Sequence, residues 1–404
     1  MLLLLINLIN CEKPVFFAPG IGNSELYATI LKPENFPHCK GTYNHTKLVY
    51  IDASNITGCK NSLLDTVYHK ETGKFTHPDG VLIETDGIVK DNSALFLQSF
   101  NNSYYVYYDW VLYYLGIQET FSILQKTIEQ KVTESKEKAV LVGFSLGTSF
   151  MRYFSTKYSS REWLQKYVDG IIFLSPGLAG TFSSIGFVAT ENAFSLTGIA
   201  ARHMISQWVM FPNFPLFENC IEIDGKFYNA SDAFDLMEKA NYTDDTCKAI
   251  YNEVKPFLEE KMPDPGVRTA FIYNSGLPAK CGVKVVNGES QFIYCGSDGG
   301  LEAKGAQYAC SHWSNVDCHD YQKNDQEFSH FGIINQPYTA ELVRRFVAGQ
   351  PFPTPEKKGK LSTKIIIIVV VAVVAVLIFA LLFYCIVKNV RKRSETVNET
   401  LIAE

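Results

Sequence analysis

The sequence predicts an α/β domain, a mostly parallel sheet covered by helices on both faces, and three observations carry that prediction. Compact apolar runs at Lys13–Phe17, Lys138–Gly143, Gly170–Leu174 and Thr269–Tyr273 have the length and composition of strands buried on both sides. Segments with helical character fall between and after them: 118–133 places Phe121, Leu124, Ile128 and Val132 on one face, and Leu146–Lys157 and Tyr338–Val347 follow. The third observation is size. The chain has 404 residues, 47% of them hydrophobic and 20% charged, enough for one large domain with insertions.

Taken in order, Lys13–Phe17 is a strand that runs into the glycine turn Ala18-Pro19-Gly20-Ile21-Gly22. Residues 39–59 are polar and read as an exposed excursion. Residues 79–115 mix short strands and turns around an aromatic cluster, Tyr104 to Trp110. The helix 118–133, the strand Lys138–Gly143 and the helix Leu146–Lys157 then alternate. Residues 178–262 break the alternation and read as an inserted cap. Gln291–Cys295 is a further strand, and Tyr338–Val347 is the closing helix. The main domain is expected over 12–350. With a net charge of −5 there is no basic surplus, so the composition excludes a nucleic-acid backbone as the principal partner.

The two ends predict the compartment. Residues 1–11 hold the apolar stretch Leu2–Ile9, which fits the core of a signal peptide. Ile365–Val387 has no charged residue, and at about 1.5 Å per residue it reaches roughly 34 Å, the length of a membrane-spanning helix. Residues 351–364, rich in proline and lysine, form the stalk before it, and 388–404 the tail after it. Basic residues are balanced across the span, with Lys357, Lys358, Lys360 and Lys364 before it and Lys388, Arg391, Lys392 and Arg393 after it. Glycosylation sequons break the tie: Asn44, Asn55, Asn101, Asn229 and Asn241 all precede the span. So do Cys39, Cys59, Cys220, Cys247, Cys281, Cys295, Cys310 and Cys318, an even set that suggests disulfides in an oxidising compartment, with connectivity left open. The expectation is a single-pass membrane protein with a large lumenal or extracellular domain and a cytosolic tail.

The chemistry is concentrated at Gly143-Phe144-Ser145-Leu146-Gly147, a G-x-S-x-G elbow led by an apolar strand and followed by a helix. Such a turn projects a serine hydroxyl and sets it beside the free N–H groups of a helix start. The elbow calls for an acid and then a histidine later in the chain. Asp298 follows the strand Gln291–Cys295 on a glycine-rich loop, whereas Asp169 precedes its strand and is at the wrong end of the sheet. His330 lies just before the closing helix. His312 and His319 are rivals within a Cys310–His319 cluster that could bind a metal, although a disulfide suits an oxidising compartment better. His203 falls in the cap and reads as a pocket or surface residue.

These residues carry a resemblance to a known family. Pro19 to Leu26, Tyr108-Asp109-Trp110, the elbow, Asp169-Gly170 through Ser175–Gly180, Trp208–Pro212, Gly276-Leu277-Pro278, Ser297-Asp298-Gly299 and His330 occur in the order found in the lecithin:cholesterol acyltransferase family. That family includes lysosomal phospholipase A/transacylase and phospholipid:diacylglycerol acyltransferase. The resemblance spans about Pro14 to Val347. It implies an α/β-hydrolase fold, a triad of Ser145, Asp298 and His330, and an oxyanion hole from the N–H groups of Ile21 and Leu146. It further implies a membrane-binding insertion at 33–65 closed by a Cys39–Cys59 disulfide, and a mobile lid at 183–212 within the cap. Phe144 replaces the family's usual histidine before the serine. Val111 stands where an arginine is usual after Tyr-Asp-Trp, and Leu301 ends a loop that commonly reads Gly-Asp-Gly-Thr-Val.

The implied reaction takes an acyl group from membrane phospholipid. It passes to water or to a lipid alcohol (a sterol, diacylglycerol or ceramide), with no metal or organic cofactor. Two other classes fit the same residues: an α/β-hydrolase acting on soluble esters or peptides, and a non-catalytic ectodomain on a hydrolase fold.

Overall fold

Strand Val15–Ala18 is the pivot of a seven-stranded sheet, flanked by Ala139–Phe144 on one side and Ser103–Val106 on the other. The computed structural model describes residues 12–39, 43–48, 58–91, 93–193 and 196–353. The chain divides into two units, Met1–Phe352 and Pro353–Glu404, and every element below belongs to the first. Across the sheet the order is Val316–Asp320, Arg268–Tyr273, Val168–Leu174, Ala139–Phe144, Val15–Ala18, Ser103–Val106 and Ile88–Lys90. All neighbours pair in parallel except Ile88–Lys90, which runs antiparallel at one edge.

The apolar runs are central because both of their faces are buried. Alternate side chains of a strand point to opposite faces. Phe16, Leu141, Ile171 and Phe271 therefore enter one core, with Phe121, Leu124 and Ile128 of helix Gln118–Ser135. Val15, Phe17, Val142, Ile172 and Ile272 enter the other, with Leu342, Val343 and Phe346 of helix Pro337–Val347. The expected mostly parallel sheet with helices on both faces is thus observed.

Several boundaries differ for physical reasons. The helix after the elbow is α-helical over Leu146–Tyr153 and then widens to a π-turn at Phe154–Tyr158. The strand expected at Gln291–Cys295 extends over Glu289–Ser297 and leaves the main sheet. It pairs with Leu277–Val286 in a separate four-stranded sheet, around a two-residue turn at Asn287 (φ 52°) and Gly288 (φ 81°). Left-handed Asn-Gly is the residue pair such a hairpin turn requires. Strand Val316–Asp320 escaped the sequence reading because an edge strand need not be uniformly apolar. Segment 33–65 contributes strand Thr46–Leu48 to a three-stranded sheet with Leu26–Ile30 and Val81–Thr85 on either side of it in the chain. Residues 178–262 are largely helical, with helices Phe182–Ala189, Ile205–Val209, Ala233–Lys239 and Asp245–Glu259.

Disulfides join Cys39 to Cys59 and Cys310 to Cys318. Cys220, Cys247, Cys281 and Cys295 are thiols, which corrects the expectation drawn from the even count. Cys220, Cys247 and Cys281 are buried among apolar side chains, where a thiol packs as a small hydrophobe. Asn44, Asn101 and Asn241 are exposed and Asn229 is half-buried, while Asn55 lies outside the described residues. The expected signal peptide at 1–11 and the span at 365–387 also lie outside them. Among the described residues no helix is long and apolar enough to cross a membrane.

Candidate active site

The elbow is built by backbone crowding. Strand Ala139–Phe144 ends at Ser145, whose φ of 55° and ψ of −123° turn the chain sharply into helix Leu146–Tyr153. A non-glycine residue in that region is strained and persists only where its surroundings enforce it. They do so here because two neighbours lack side chains. A Cβ on Gly143 would come within 2.5 Å of the Gly147 carbonyl oxygen, and one on Gly147 would collide with the carbonyl oxygen of Ala18. The Ser145 N–H donates to Leu174 O at 3.1 Å, tying the turn to the adjacent strand.

The hydroxyl of Ser145 meets His330, with Nε2 2.8 Å from Oγ. The other imidazole nitrogen, Nδ1, is 2.8 Å from Oδ2 of Asp298. The second carboxylate oxygen of Asp298 accepts the N–H groups of Gly300 at 3.0 Å and Leu301 at 2.8 Å. Burial opposes ionisation of Asp298, but the facing His330 and these two N–H groups outweigh it and hold the carboxyl below its ordinary value. Asp298 is thus fixed as an anion, turned toward one nitrogen of His330. Phe144 stacks on the His330 ring, centroids 5.1 Å apart, so the residue that departs from the family pattern packs against the imidazole face. Phe331 meets the same ring edge-on at 5.1 Å and is exposed.

The Tyr-Asp-Trp segment holds the loop opposite the serine. Tyr108 donates its buried hydroxyl to Pro19 O at 2.7 Å, and its N–H donates to Ser24 Oγ at 3.1 Å. The Trp110 indole N–H reaches Ser24 O at 3.3 Å. Asp109 accepts from Val111 and Leu112 N–H and meets His77 Nε2 at 2.6 Å. These contacts brace the turn that carries Ile21. Leu146 is the first residue of its helix, where amides have no acceptor within the helix. Ile21 and Leu146 both line a cavity of about 430 Å³ around Ser145, walled by Phe187, Met210, Leu301 and Phe331.

The rival histidines lie elsewhere. His312 bonds to Tyr308 O on an exposed helix end, and the Cys310–Cys318 disulfide occupies the cysteines beside it. His319 sits on the edge strand Val316–Asp320. His203 is buried, neither in the cavity nor on the surface, with Nδ1 3.0 Å from Asp65 and Nε2 2.8 Å from Asp244. Burial alone would lower its pKa, but the two carboxylates outweigh burial and push it up to about 11. With Asp244 and Cys247 it is a group whose donor atoms lie within 4.8 Å of one another, the spacing of a possible metal site among the described residues. Both ring nitrogens already face carboxylates, so an imidazolium satisfies the arrangement without an ion. Sequence reasoning also missed Glu302, buried beside the Asp298 loop. Its Oε1 accepts the N–H of Phe182, the first residue of helix Phe182–Ala189.

A parallel sheet whose strand-turn-helix serine faces an imidazole backed by a buried carboxylate defines the α/β-hydrolase class. Residues 99–213 match the family model for lecithin:cholesterol acyltransferase, and the chain is similar to that family. It is 22% identical over 306 residues to the phosphatidylcholine-sterol acyltransferase of Gallus gallus, covering 67% of this chain and 73% of that protein. Solved structures with a weaker likeness include the Tle4–Tli4 complex (10% identity, TM-score 0.46, 83% of this chain and 98% of that one). Another is the mature Bacillus licheniformis lipase BlEst2 (9% identity, TM-score 0.35, 83% and 92%). The chemistry of the family is acyl-ester hydrolysis or transfer on lipids.

Proposed function

We propose that the protein is a serine-dependent phospholipid acyl hydrolase and O-acyltransferase working through an acyl-serine intermediate. The observation that carries this reading is the unbroken chain from Ser145 Oγ through both nitrogens of His330 to Asp298, each link 2.8 Å long. Ser145 Oγ attacks the ester carbonyl of a membrane phospholipid as its proton passes to His330 Nε2. Asp298 holds the tautomer and stabilises the imidazolium. The N–H groups of Ile21 and Leu146 receive the oxyanion. The carbon–oxygen bond of the ester breaks, and the His330 proton leaves with the lysophospholipid oxygen. Water or a lipid alcohol then attacks the acyl-serine, giving up its proton to His330, and Ser145 is regenerated. The apolar cavity wall suits an acyl chain and limits competing water. Segment 33–65 supplies a membrane contact, helix Phe182–Ala189 belongs to a lid, and residues 365–387 anchor the protein with its catalytic domain lumenal or extracellular.

The test gives full-length protein, wild type beside Ser145→Ala, vesicles of acyl-labelled phosphatidylcholine with cholesterol, diacylglycerol or ceramide. Mass spectrometry follows the label. Serine-dependent label in a sterol ester, triacylglycerol or acylceramide identifies a transacylase and its acceptor, and label only in free fatty acid identifies a phospholipase A. The variant should lose on the order of 10⁴–10⁶ in turnover. Phospholipid turnover that survives in Ser145→Ala refutes the reading.

A further inference from the structure

Strand Glu289–Ser297 carries Phe292, Ile293 and Tyr294 in succession, and they are 45%, 44% and 58% exposed. Neighbouring strand residues point to opposite faces, so both faces of the hairpin formed with Leu277–Val286 are open at this point. Val286, at the hairpin turn, is exposed as well, as is Phe227 on strand Lys226–Tyr228 at the opposite edge of the same four-stranded sheet. Three consecutive exposed apolar residues are unfavourable in water and mark a contact surface.

The position of this surface indicates what it contacts. A groove of about 490 Å³ separates the hairpin from helix Phe182–Ala189 and is lined by Phe182, Phe187, Pro278, Phe292 and Tyr294. Ser183, Phe187, Gly299 and Gly300 line both this groove and the cavity around Ser145, so the exposed apolar strand stands at the edge of the cavity. The Lys280 ammonium lies 3.8 Å from the centre of the Phe292 ring, and that of Lys226 lies 4.8 Å from the centre of the Tyr228 ring. Of the nearby acids, Glu222 is paired with Lys284, Asp224 accepts the Asn287 N–H, and Glu289 sits at the hairpin turn. Cations set directly against apolar rings match the boundary of a bilayer, where phosphates lie against acyl chains.

We propose that the hairpin 277–297 docks on a phospholipid surface, with Phe292, Ile293 and Tyr294 entering it beside the opening to Ser145. This contact is separate from segment 33–65, and it rests on the reading of the cavity as a lipid site. A bilayer gripped here would face the groove directly, so a lipid moving toward Ser145 need not cross open water.

The experiment uses full-length protein and the double variant Phe292→Ser/Tyr294→Ser, in which only exposed side chains change. Turnover of phosphatidylcholine vesicles should fall by about tenfold or more at low lipid and recover as lipid is raised, since each apolar side chain withheld from the membrane weakens partitioning. Hydrolysis of monomeric p-nitrophenyl acetate should stay within twofold of wild type. Equal losses on both substrates, or no loss on vesicles, overturn the proposal. A second measurement needs no turnover: Ile293→Trp should be quenched by vesicles of brominated phosphatidylcholine beyond the wild-type signal. Absence of added quenching overturns the lipid docking and leaves a protein partner as the occupant of this face. A wild type that cleaves the soluble ester but no phospholipid refutes the proposed function, and the quenching still reports on docking by itself.

Discussion

Replacing Glu302 with glutamine should stabilise the protein at neutral and alkaline pH while leaving it almost unchanged in acid. Glu302 is 2% exposed, Oε1 accepts the Phe182 N–H at 2.8 Å, and Oε2 has no hydrogen-bond partner among the described residues. Burial is the main cause that pushes its carboxyl up from an ordinary 4.5 to about 7. The folded protein therefore holds this proton more tightly than the unfolded chain. The associated stability is complete below about pH 4.5 and is lost as pH rises through about 7. That interval is about 2.5 pH units, and at about 1.36 kcal/mol per unit the charged carboxylate costs on the order of 3 kcal/mol at pH 8. Glutamine retains the acceptor for Phe182 and never ionises. For a domain of this length 3 kcal/mol corresponds to roughly 4 °C in Tm. Thermal unfolding of both proteins at pH 5 and pH 8 checks it. The variant's advantage should grow from about 1 kcal/mol to about 3 kcal/mol between those values. An advantage independent of pH, or one that shrinks as pH rises, refutes the reasoning.

Other outcomes follow from the same geometry. Asp298→Asn should lower kcat by roughly 10⁴ with little change in Tm, because His330 loses the carboxylate that fixes its tautomer; steady-state kinetics on phosphatidylcholine decide it. Tyr108→Phe removes the hydrogen bond to Pro19 O and should cost about 1–2 kcal/mol in denaturant unfolding, with a several-fold slower turnover as the Ile21 turn loosens. Cys39→Ser with Cys59→Ser opens a loop with a sequence separation of 20 and should cost about 3 kcal/mol, read as a lower Tm under non-reducing conditions. Gly147→Ala should fail to give soluble folded protein because its methyl meets the Ala18 carbonyl. Gly186→Ala, which faces open space within a helix, should raise stability by about 0.5–1 kcal/mol. Circular dichroism melts separate the two.

Ser145 was legible because its turn needs glycine on both sides and an apolar strand before it, and that constraint is written in five adjacent residues. Asp298 and His330 were legible through chain order and loop chemistry, even though the strand leading to Asp298 proved to belong to a different sheet. The central strands were legible for the same reason they are buried: nothing polar interrupts them. The edge strand Val316–Asp320 was not, since half its surface needs no apolar cover. Nor could spacing show which thiols pair, because pairing depends on a separation in space that the chain's order does not contain. His203 was misplaced because its partners, Asp65 and Asp244, lie 138 and 41 residues away. The apolar run Gln291–Cys295 was visible as a strand, but neither its hairpin partner nor its exposure was.

The ionic knot at His203 sets a mechanical limit. One buried cation fastens the residue that follows helix Cys59–Leu64, the end of helix Ile199–Arg202 and the cap of helix Asp245–Glu259. These three points move as one piece while the knot holds. Helix Phe182–Ala189 lies upstream of it in the chain, joined to the rest near its start by the Glu302–Phe182 hydrogen bond. It also packs on helix Ile205–Val209, which follows the knot in the chain. The knot is thus the fixed point of the cap, the place from which any displacement of helix Phe182–Ala189 would be measured.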